Sequence, residues 1–330
     1  MARLVAAFGT SHSPALNSPA ADFVEHAKRD AAYRQHRDRN GATVDYERLA
    51  RDADPALLAQ ITPEVIAARV AECDRHVARL AAEIAAARLD ALVIVGDDQR
   101  EQYLDDNLPA FLVYWGETIT NTVSDLPATA PEYWKRARAQ YHEPDGPREY
   151  PVAAALGRHV IESLVEREFD VAHGRSLPRP RGEGHAFGFV HRRLMRGVVV
   201  PILPIVVNTY YPPNQPRPRR CYRLGQALRA AIASWPEDRR VGIIASGGLS
   251  HFTIDEALDR AVLAACRTRD AEALASIPLA KLESGSSEIR NWIVAAGAAE
   301  ELTTKWQEYV PLYRTSAGTG CGMGFAAWGA

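Results

Sequence analysis

A run of four aliphatic residues, Leu92-Val93-Ile94-Val95, restricts the fold of this chain more than any other stretch. An uninterrupted apolar run that ends at Gly96 is typical of a strand covered on both faces, as in a parallel sheet. Similar strands are predicted at Leu4 to Phe8, at Val198 to Val207 and at Val241 to Ala245. Because helical patterns lie between them, we predict an α/β fold with a central, mostly buried sheet and helices on both faces.

Polar residues follow three of these predicted strands at their carboxyl ends. His12 follows the first, Asp97, Asp98 and Gln99 follow the second, and His251 follows the last in the stretch SGGLSHF. Open α/β sheets bind ligands at this edge, so the active site is expected there. Two neutral ligands and one carboxylate form the Fe(II) site of non-haem oxygenases, and a further histidine would transfer protons. The spacing alone does not decide which histidine binds metal and which transfers protons.

Composition excludes several classes of partner. The net charge of −2 provides no field that would attract nucleic acid or an anionic membrane, so a small-molecule ligand is expected. No secretory segment and no apolar stretch of about 18 residues is recognised, and the cysteines form no CxxC pair. A cytoplasmic location is therefore expected. The isolated cysteines are Cys73, Cys221, Cys266 and Cys321.

Local patterns complete the outline of the chain. A core-facing helix is predicted after Thr62, and Cys73 on its apolar stripe is expected to pack in the core. His191 stands beside two arginines and is expected on a solvated helix face. The polar segment at about 36–59 is expected to be a surface excursion that folds over a site.

Five segments resemble, in order and approximate spacing, the class III extradiol dioxygenases, the family of the catalytic β subunit of protocatechuate 4,5-dioxygenase. The segments are GTSHSPAL, VIVGDDQ with PAFLVYWGETI, VNTYYPPNQPRPRRCYRLGQALRAAI, SGGLSHF and ESGSSEIRNWIVAAGA. The resemblance implies one catalytic domain over residues 1–330, with excursions at about 36–59 and 125–150. It also implies an Fe(II)-dependent oxygenase that uses dioxygen to open a catechol-type ring, or an aminophenol-type or hydroquinone-type ring.

The resemblance implies roles for particular residues and raises one discrepancy. His12 and Glu288 match metal ligands of the family, and His251 matches its acid and base. Gln99 stands where the family has its remaining histidine ligand. One alternative is that Gln99 binds the metal. The other is that Gln99 forms a hydrogen bond near the metal, while Asp98, the neighbouring Asp97 or a histidine from elsewhere supplies the ligand. The change of residue is also compatible with a change of chemistry.

The resemblance further suggests residues around the substrate. His185, rather than His173, matches the family's histidine near substrate and dioxygen, because small residues and an apolar stretch follow it. Gly318 and Thr319 occupy the place where the family binds the ring substituent. Tyr210, in a rigid proline-rich stretch, is suited to line an aromatic pocket.

Two other functions remain open at the level of sequence. The altered ligand set is compatible with a redox-inert, metal-dependent hydrolase or lyase on the same scaffold, and a non-catalytic metal-binding or regulatory protein is the other alternative. A homodimer is the default assembly, and the family's small accessory subunit is a further possible partner. The two excursions would instead supply a lid from the same chain.

Overall fold

The computed structural model describes residues 1–329, in which thirteen strands and ten α-helices are formed. The strands are β1 (Arg3–Thr10), β2 (His36–Arg37), β3 (Thr43–Val44), β4 (Ala91–Asp97), β5 (Phe111–Tyr114), β6 (Thr118–Asn121), β7 (Arg148–Pro151), β8 (Ala172–Gly174), β9 (Ile202–Val207), β10 (Arg240–Ser246), β11 (His251–Thr253), β12 (Thr303–Tyr313) and β13 (Thr319–Gly329). The helices are α1 (Phe23–Ala32), α2 (Tyr46–Asp52), α3 (Pro63–Ala86), α4 (Glu132–Arg138), α5 (Ala154–Glu166), α6 (His185–Phe189), α7 (Pro218–Ser234), α8 (Glu256–Thr268), α9 (Ala271–Ala275) and α10 (Ile289–Ala298).

Nine of the strands form one mixed sheet, in the order β11-β13-β1-β10-β4-β9-β5-β8, with β12 paired to β13. The four neighbouring strands β1, β10, β4 and β9 are mutually parallel. Their carboxyl ends therefore meet at one edge of the sheet. This arrangement brings together the loops that carry the polar residues singled out in the sequence.

Both faces of the sheet are buried, which confirms the predicted fold class. Along β10, Ile243 packs into one hydrophobic core and the next residue, Ile244, packs into the other. Val93 and Ile94 of β4 alternate in the same way. One core contains α5, α7, α8 and α10, whereas the other contains α3 and α6. Strands that are covered on both sides need apolar residues at every position, and this explains the continuous runs in the sequence.

The sequence predicts most of the central elements but misplaces one boundary. The helix predicted after Thr62 is α3, and the Thr62 side chain caps it by accepting a hydrogen bond from the Val65 amide. The strand predicted from Val198 begins only at Ile202. Val198 and Val199 are 50% and 39% exposed in the preceding loop. A valine pair therefore resembled the start of a strand although it has no place in the core.

The carboxyl-terminal hairpin of β12 and β13 is not foreseen by the sequence pattern. Every described residue of β13 is buried, although the strand is rich in glycine. A side chain at Gly322 would collide with the carboxylate of Asp259, and one at Gly324 would lie 2.8 Å from a Leu249 methyl group. Glycine is present here because other elements pack directly against the backbone of the strand.

The two excursions contain regular structure. The first includes the β2–β3 hairpin and α2, and its residue His36 is buried. The second includes α4 and ends in β7, which pairs with β6. In residues 1–329, none of the helices combines the length and the apolar character needed to cross a bilayer. The four cysteines are buried and form no disulfide among these residues.

We predict that Gly225→Ala destabilises the fold. An added methyl group would collide with the backbone carbonyl of Val294, because α7 and α10 pack closely at this point. Overpacking of this kind costs about 1–3 kcal/mol of unfolding free energy. Chemical denaturation followed by circular dichroism measures the change. Gly197→Ala is the matched control, since an added methyl group meets no atom within 4 Å there, and equal midpoints for both variants would contradict the prediction.

Candidate active site

Loops that follow the four parallel strands bring the candidate residues together. His12 follows β1, Gln99 follows β4, Tyr210 follows β9 and His251 follows β10, while Glu288 lies in the turn that leads into α10. All five line one cavity of about 360 Å³. The structure thus joins these sequence-predicted residues in a single site at the carboxyl edge of the sheet.

The Glu288 carboxylate lies at the centre of this group and is only 1% exposed. Its Oε2 accepts a hydrogen bond from the Gly248 amide at 2.6 Å, and its Oε1 accepts one from the Tyr210 hydroxyl at 2.7 Å. Burial alone would raise the pKa of Glu288, but the charge of the facing His251 imidazole holds it well below its ordinary value. Glu288 is therefore a buried carboxylate that stays anionic.

His12 directs a free lone pair at this carboxylate. The Ser246 hydroxyl donates its only proton to the Ala186 carbonyl at 2.7 Å, so it accepts a hydrogen bond from His12 Nδ1 at 3.0 Å. This network assigns the proton of a neutral His12 to Nδ1. Burial lowers the pKa of His12, which favours that neutral form. Its Nε2 then has no hydrogen-bond donor and faces Glu288 Oε2 at 3.2 Å.

His185 enters the same site from the amino end of α6. Its Nδ1 donates a hydrogen bond to Glu101 Oε2 at 2.7 Å, and its backbone amide donates to both oxygens of the same carboxylate. Burial opposes protonation of His185, but the charge of Glu101 and this hydrogen bond raise the pKa to about 9. The imidazole rings of His185 and His12 lie 4.7 Å apart.

Four residues of the site have possible metal-ligating atoms close to one another. Atoms of His12, Asp97, His185 and Glu288 all lie within 4.8 Å of one another, and all four residues are buried. Ligands that bind one ion at about 2.1 Å lie at most about 4.2 Å apart, so a small contraction would bring all four into contact with it. Two facing acceptors, His12 Nε2 and Glu288 Oε2, also need a cation or a proton between them. The group therefore fits a metal ion.

His251 lies beside this group. Its Nδ1 donates to the Leu249 carbonyl at 2.9 Å, so its Nε2 is directed toward Tyr210 and Glu288 at 3.3 Å and 3.2 Å. Burial opposes protonation, yet the charge of Glu288 raises the pKa of His251 well above its ordinary value. A side chain at Gly285 would collide with this imidazole. Glycine at this position leaves room for the ring.

Asp98, the alternative metal ligand that the sequence suggested, lies outside the group of His12, Asp97, His185 and Glu288. Its oxygens accept hydrogen bonds from the backbone amides of Glu101, Gln102 and Tyr103 at 2.8–3.2 Å. The side chain therefore stabilises the turn after β4. Its neighbour Asp97 occupies that position instead.

The comparison with known families agrees with this architecture. Residues 79–324 match the model of the catalytic LigB subunit of aromatic ring-opening dioxygenase. The chain belongs to this family. The matched range includes Gln99, His185, His251 and Glu288, whereas His12 precedes it. The family resemblance inferred from the five sequence segments is thus confirmed.

Curated relatives of this chain are named as dioxygenases. Gallate dioxygenase of Pseudomonas putida is 42% identical over 115 residues, which are 33% of this chain and 32% of that protein. The 2,3-dihydroxyphenylpropionate/2,3-dihydroxicinnamic acid 1,2-dioxygenase of Azotobacter vinelandii is 31% identical over 55% of this chain and 50% of its own length. The corresponding enzyme 1 of Dechloromonas aromatica is 28% identical over 56% of this chain and 51% of its length. The chain thus spans between about a third and about a half of these relatives.

The remaining sequence-predicted residues lie outside the group of His12, Asp97, His185 and Glu288. Gly318 and Thr319 do not line the cavity, but the Thr319 hydroxyl donates a hydrogen bond at 2.6 Å to Asp30, which does. His173 is exposed and accepts a hydrogen bond from Trp115 Nε1 at 3.1 Å. Thr319 thus supports a residue of the cavity wall, and His173 is a surface residue.

The expectation that His191 is solvated is wrong. The residue is 3% exposed, stacks on Tyr150 at a ring distance of 3.8 Å and pairs with Glu183 at 2.8 Å. Sequence reasoning also missed Glu101 and Ser246, which orient His185 and His12. Ser246 is the last residue of β10, a position where the sequence could have indicated it.

We predict that Ser246→Ala weakens metal binding by about 10- to 100-fold, because His12 loses the acceptor that fixes its tautomer and orientation. Equilibrium dialysis with Fe(II) under anaerobic conditions, followed by metal analysis, measures the change. Ser287→Ala is the matched control, since the Ser287 hydroxyl is buried and has no hydrogen-bond partner among residues 1–329. Unchanged affinity in Ser246→Ala would show that this hydrogen bond does not orient the ligand.

Proposed function

We propose that this chain is an Fe(II)-dependent dioxygenase that opens an aromatic ring beside two adjacent hydroxyl groups. One observation carries the proposal: a neutral His12 and an anionic Glu288 face each other at 3.2 Å, and His251 contacts the same carboxylate within one cavity. Membership of the LigB family and relatives named for gallate and dihydroxyphenylpropionate support it.

Imidazole and carboxylate donors with open space beside them suit Fe(II) better than a soft metal. His12 and Glu288 would hold the ion, with further donors nearby in Asp97 and His185. When bound, Fe(II) supplies a centre at which the hydroxyl oxygens of the substrate and dioxygen react together. The cavity is lined by rings as well as polar groups, among them Tyr141 and Tyr210, which suits an aromatic substrate.

His251 is the proposed acid and base. Its Nδ1 is committed to the Leu249 carbonyl, so Nε2 is the atom that faces the cavity. A metal ion on Glu288 would offset the carboxylate charge that raises the pKa of His251. Nε2 would then accept the proton of a substrate hydroxyl and later return it as the ring opens. The Tyr210 hydroxyl lies 3.3 Å from this nitrogen and donates to Glu288. Tyr210 therefore positions the carboxylate and the imidazole relative to each other.

We predict that protein loaded anaerobically with Fe(II) consumes dioxygen and yields a ring-opened product with at least one member of a panel of catechols, gallates, hydroquinones and aminophenols. His251→Ala should reduce kcat by about 100-fold or more and leave the metal content unchanged, as expected when a general acid and base is lost. His173→Ala serves as a control on an exposed histidine.

Two outcomes would contradict this function. Metal binding without oxygen uptake on any diol would favour a redox-inert hydrolase or lyase on the same scaffold. Full turnover by His251→Ala would remove this residue from the proton transfer steps.

A second group of side chains lines the cavity and favours an anionic substrate. Arg29 lies over the Trp134 ring at 4.1 Å and has no carboxylate within 4.0 Å among residues 1–329. Arg314, by contrast, is neutralised by Asp30 at 2.8 Å. His36 adds a buried Nδ1 that has no hydrogen-bond partner in the same range of residues. We therefore propose that the ring carries a carboxylate-bearing substituent, as the names of the relatives also suggest.

For this substrate class, Arg29→Gln should raise the KM for a carboxylated diol about tenfold, because a charge-assisted hydrogen bond is lost. The KM for an uncharged alkylcatechol should change by less than about twofold. Steady-state oxygen uptake with both substrates gives the comparison. Lys28→Gln is the control, since Lys28 lies on the same helix but pairs with Glu25 and does not line the cavity. Equal changes with both substrates would refute an anion-binding role for Arg29.

A homodimer, a cytoplasmic location and the accessory subunit stay predictions of the sequence.

A further inference from the structure

Gln99 occupies the sequence position of a family histidine ligand, but its contacts in this structure are those of a hydrogen-bond donor. Its Nε2 lies 3.1 Å from Glu288 Oε1, 3.2 Å from the Tyr210 hydroxyl, and 3.5 Å from both Asp97 Oδ2 and His185 Nε2. The reversed amide would direct an oxygen at two carboxylates, so the network assigns nitrogen to this position. In this orientation the amide donates to the Glu288 carboxylate, as an outer partner of a ligand does.

His185 has a ring nitrogen that faces the cluster and a second ring nitrogen that is held by a carboxylate, as metal-binding histidines do. Its Nδ1–H is bound by Glu101 Oε2 at 2.7 Å, which leaves Nε2 as the atom that faces His12, Asp97 and Glu288. Metal-binding histidines usually donate their other ring proton to a carboxylate or a carbonyl, because this fixes the ring and makes the ligand more basic. Glu101 is in turn 3.5 Å from Arg138.

The backbone conformation before His185 allows this residue to pair with Glu101. Gly184 has a φ of +84°, a conformation that favours glycine. A side chain there would also lie 3.0 Å from Glu101 Oε2. Glycine therefore allows the amide and the imidazole of the following residue to bind the same carboxylate.

We propose that His185, oriented by Glu101, replaces the missing family histidine as the second imidazole ligand of the metal. His12, His185 and Glu288 then form the two-histidine, one-carboxylate set that suits Fe(II), with Asp97 as a neighbouring donor. Gln99 donates a hydrogen bond to Glu288 and does not bind the metal. The inference rests on the metal centre of the proposed function, and it gives His185 a different role from the one implied by the family resemblance.

Metal affinity of paired variants tests this assignment. His185→Ala should weaken anaerobic Fe(II) binding by more than about 100-fold, whereas Gln99→Ala should change it by less than about threefold. Glu101→Gln should cause an intermediate loss of about 10- to 100-fold, typical of removing an outer partner. Equilibrium dialysis with metal analysis gives the affinities, and the visible absorption of Co(II)-loaded protein reports the change in ligands. His173→Ala is the control for loss of a histidine outside the site.

A double variant separates ligation from folding. If His185→Ala fails only because a ligand is lost, adding Gln99→His should restore Fe(II) affinity to within about tenfold of the starting protein. Loss of metal in Gln99→Ala together with retention in His185→Ala would overturn the assignment, and so would a double variant that folds but does not recover. In either case oxygen uptake by the unmodified protein would leave the proposed function standing. If the unmodified protein bound no Fe(II), both proposals would fail.

Discussion

The buried carboxylate of Glu288 is the group on which the rest of the site depends. Burying an anion costs several kcal/mol unless hydrogen bonds or opposite charges compensate it. The compensating groups come from separate loops: the Gly248 amide after β10, the Tyr210 hydroxyl after β9 and the Gln99 amide after β4. His12, after β1, faces the second oxygen. One side chain thus links the carboxyl ends of four parallel strands, and the order of those strands in the sheet is what makes the link possible.

The sequence locates much of this site because parallel strands leave their carboxyl ends at one edge. A residue that follows a buried apolar run is therefore placed by the run itself, and His12, Gln99 and His251 are found in this way. The sequence could not choose between Asp97 and Asp98. Successive side chains of an extended chain point to opposite sides, so one faces the ligating atoms and the other binds the amides of the next turn.

Residues whose role depends on distant segments were harder to predict. Glu101 acquires its function only when α6 brings His185 to it, and His191 is buried by Glu183 and Tyr150 despite the arginines beside it. The β12–β13 hairpin was missed for a similar reason. Its glycines have low strand propensity, and the close approach of Asp259 and Leu249, which requires them, is a tertiary contact.

The excursion at 125–150 helps to fix the loop that carries His12. The Tyr141 hydroxyl donates a hydrogen bond to the carbonyl of His12, and the Gln140 amide donates one to the carbonyl of Ser13 at 2.9 Å. Arg136 binds the Asp22 carboxylate through two nitrogens at 2.7 Å and 3.0 Å. A loop held at its backbone would lose little conformational freedom if His12 bound the proposed ion, which would favour affinity. The same excursion supplies Tyr141 to the cavity wall, so one segment both holds the backbone of His12 and shapes the cavity beside it.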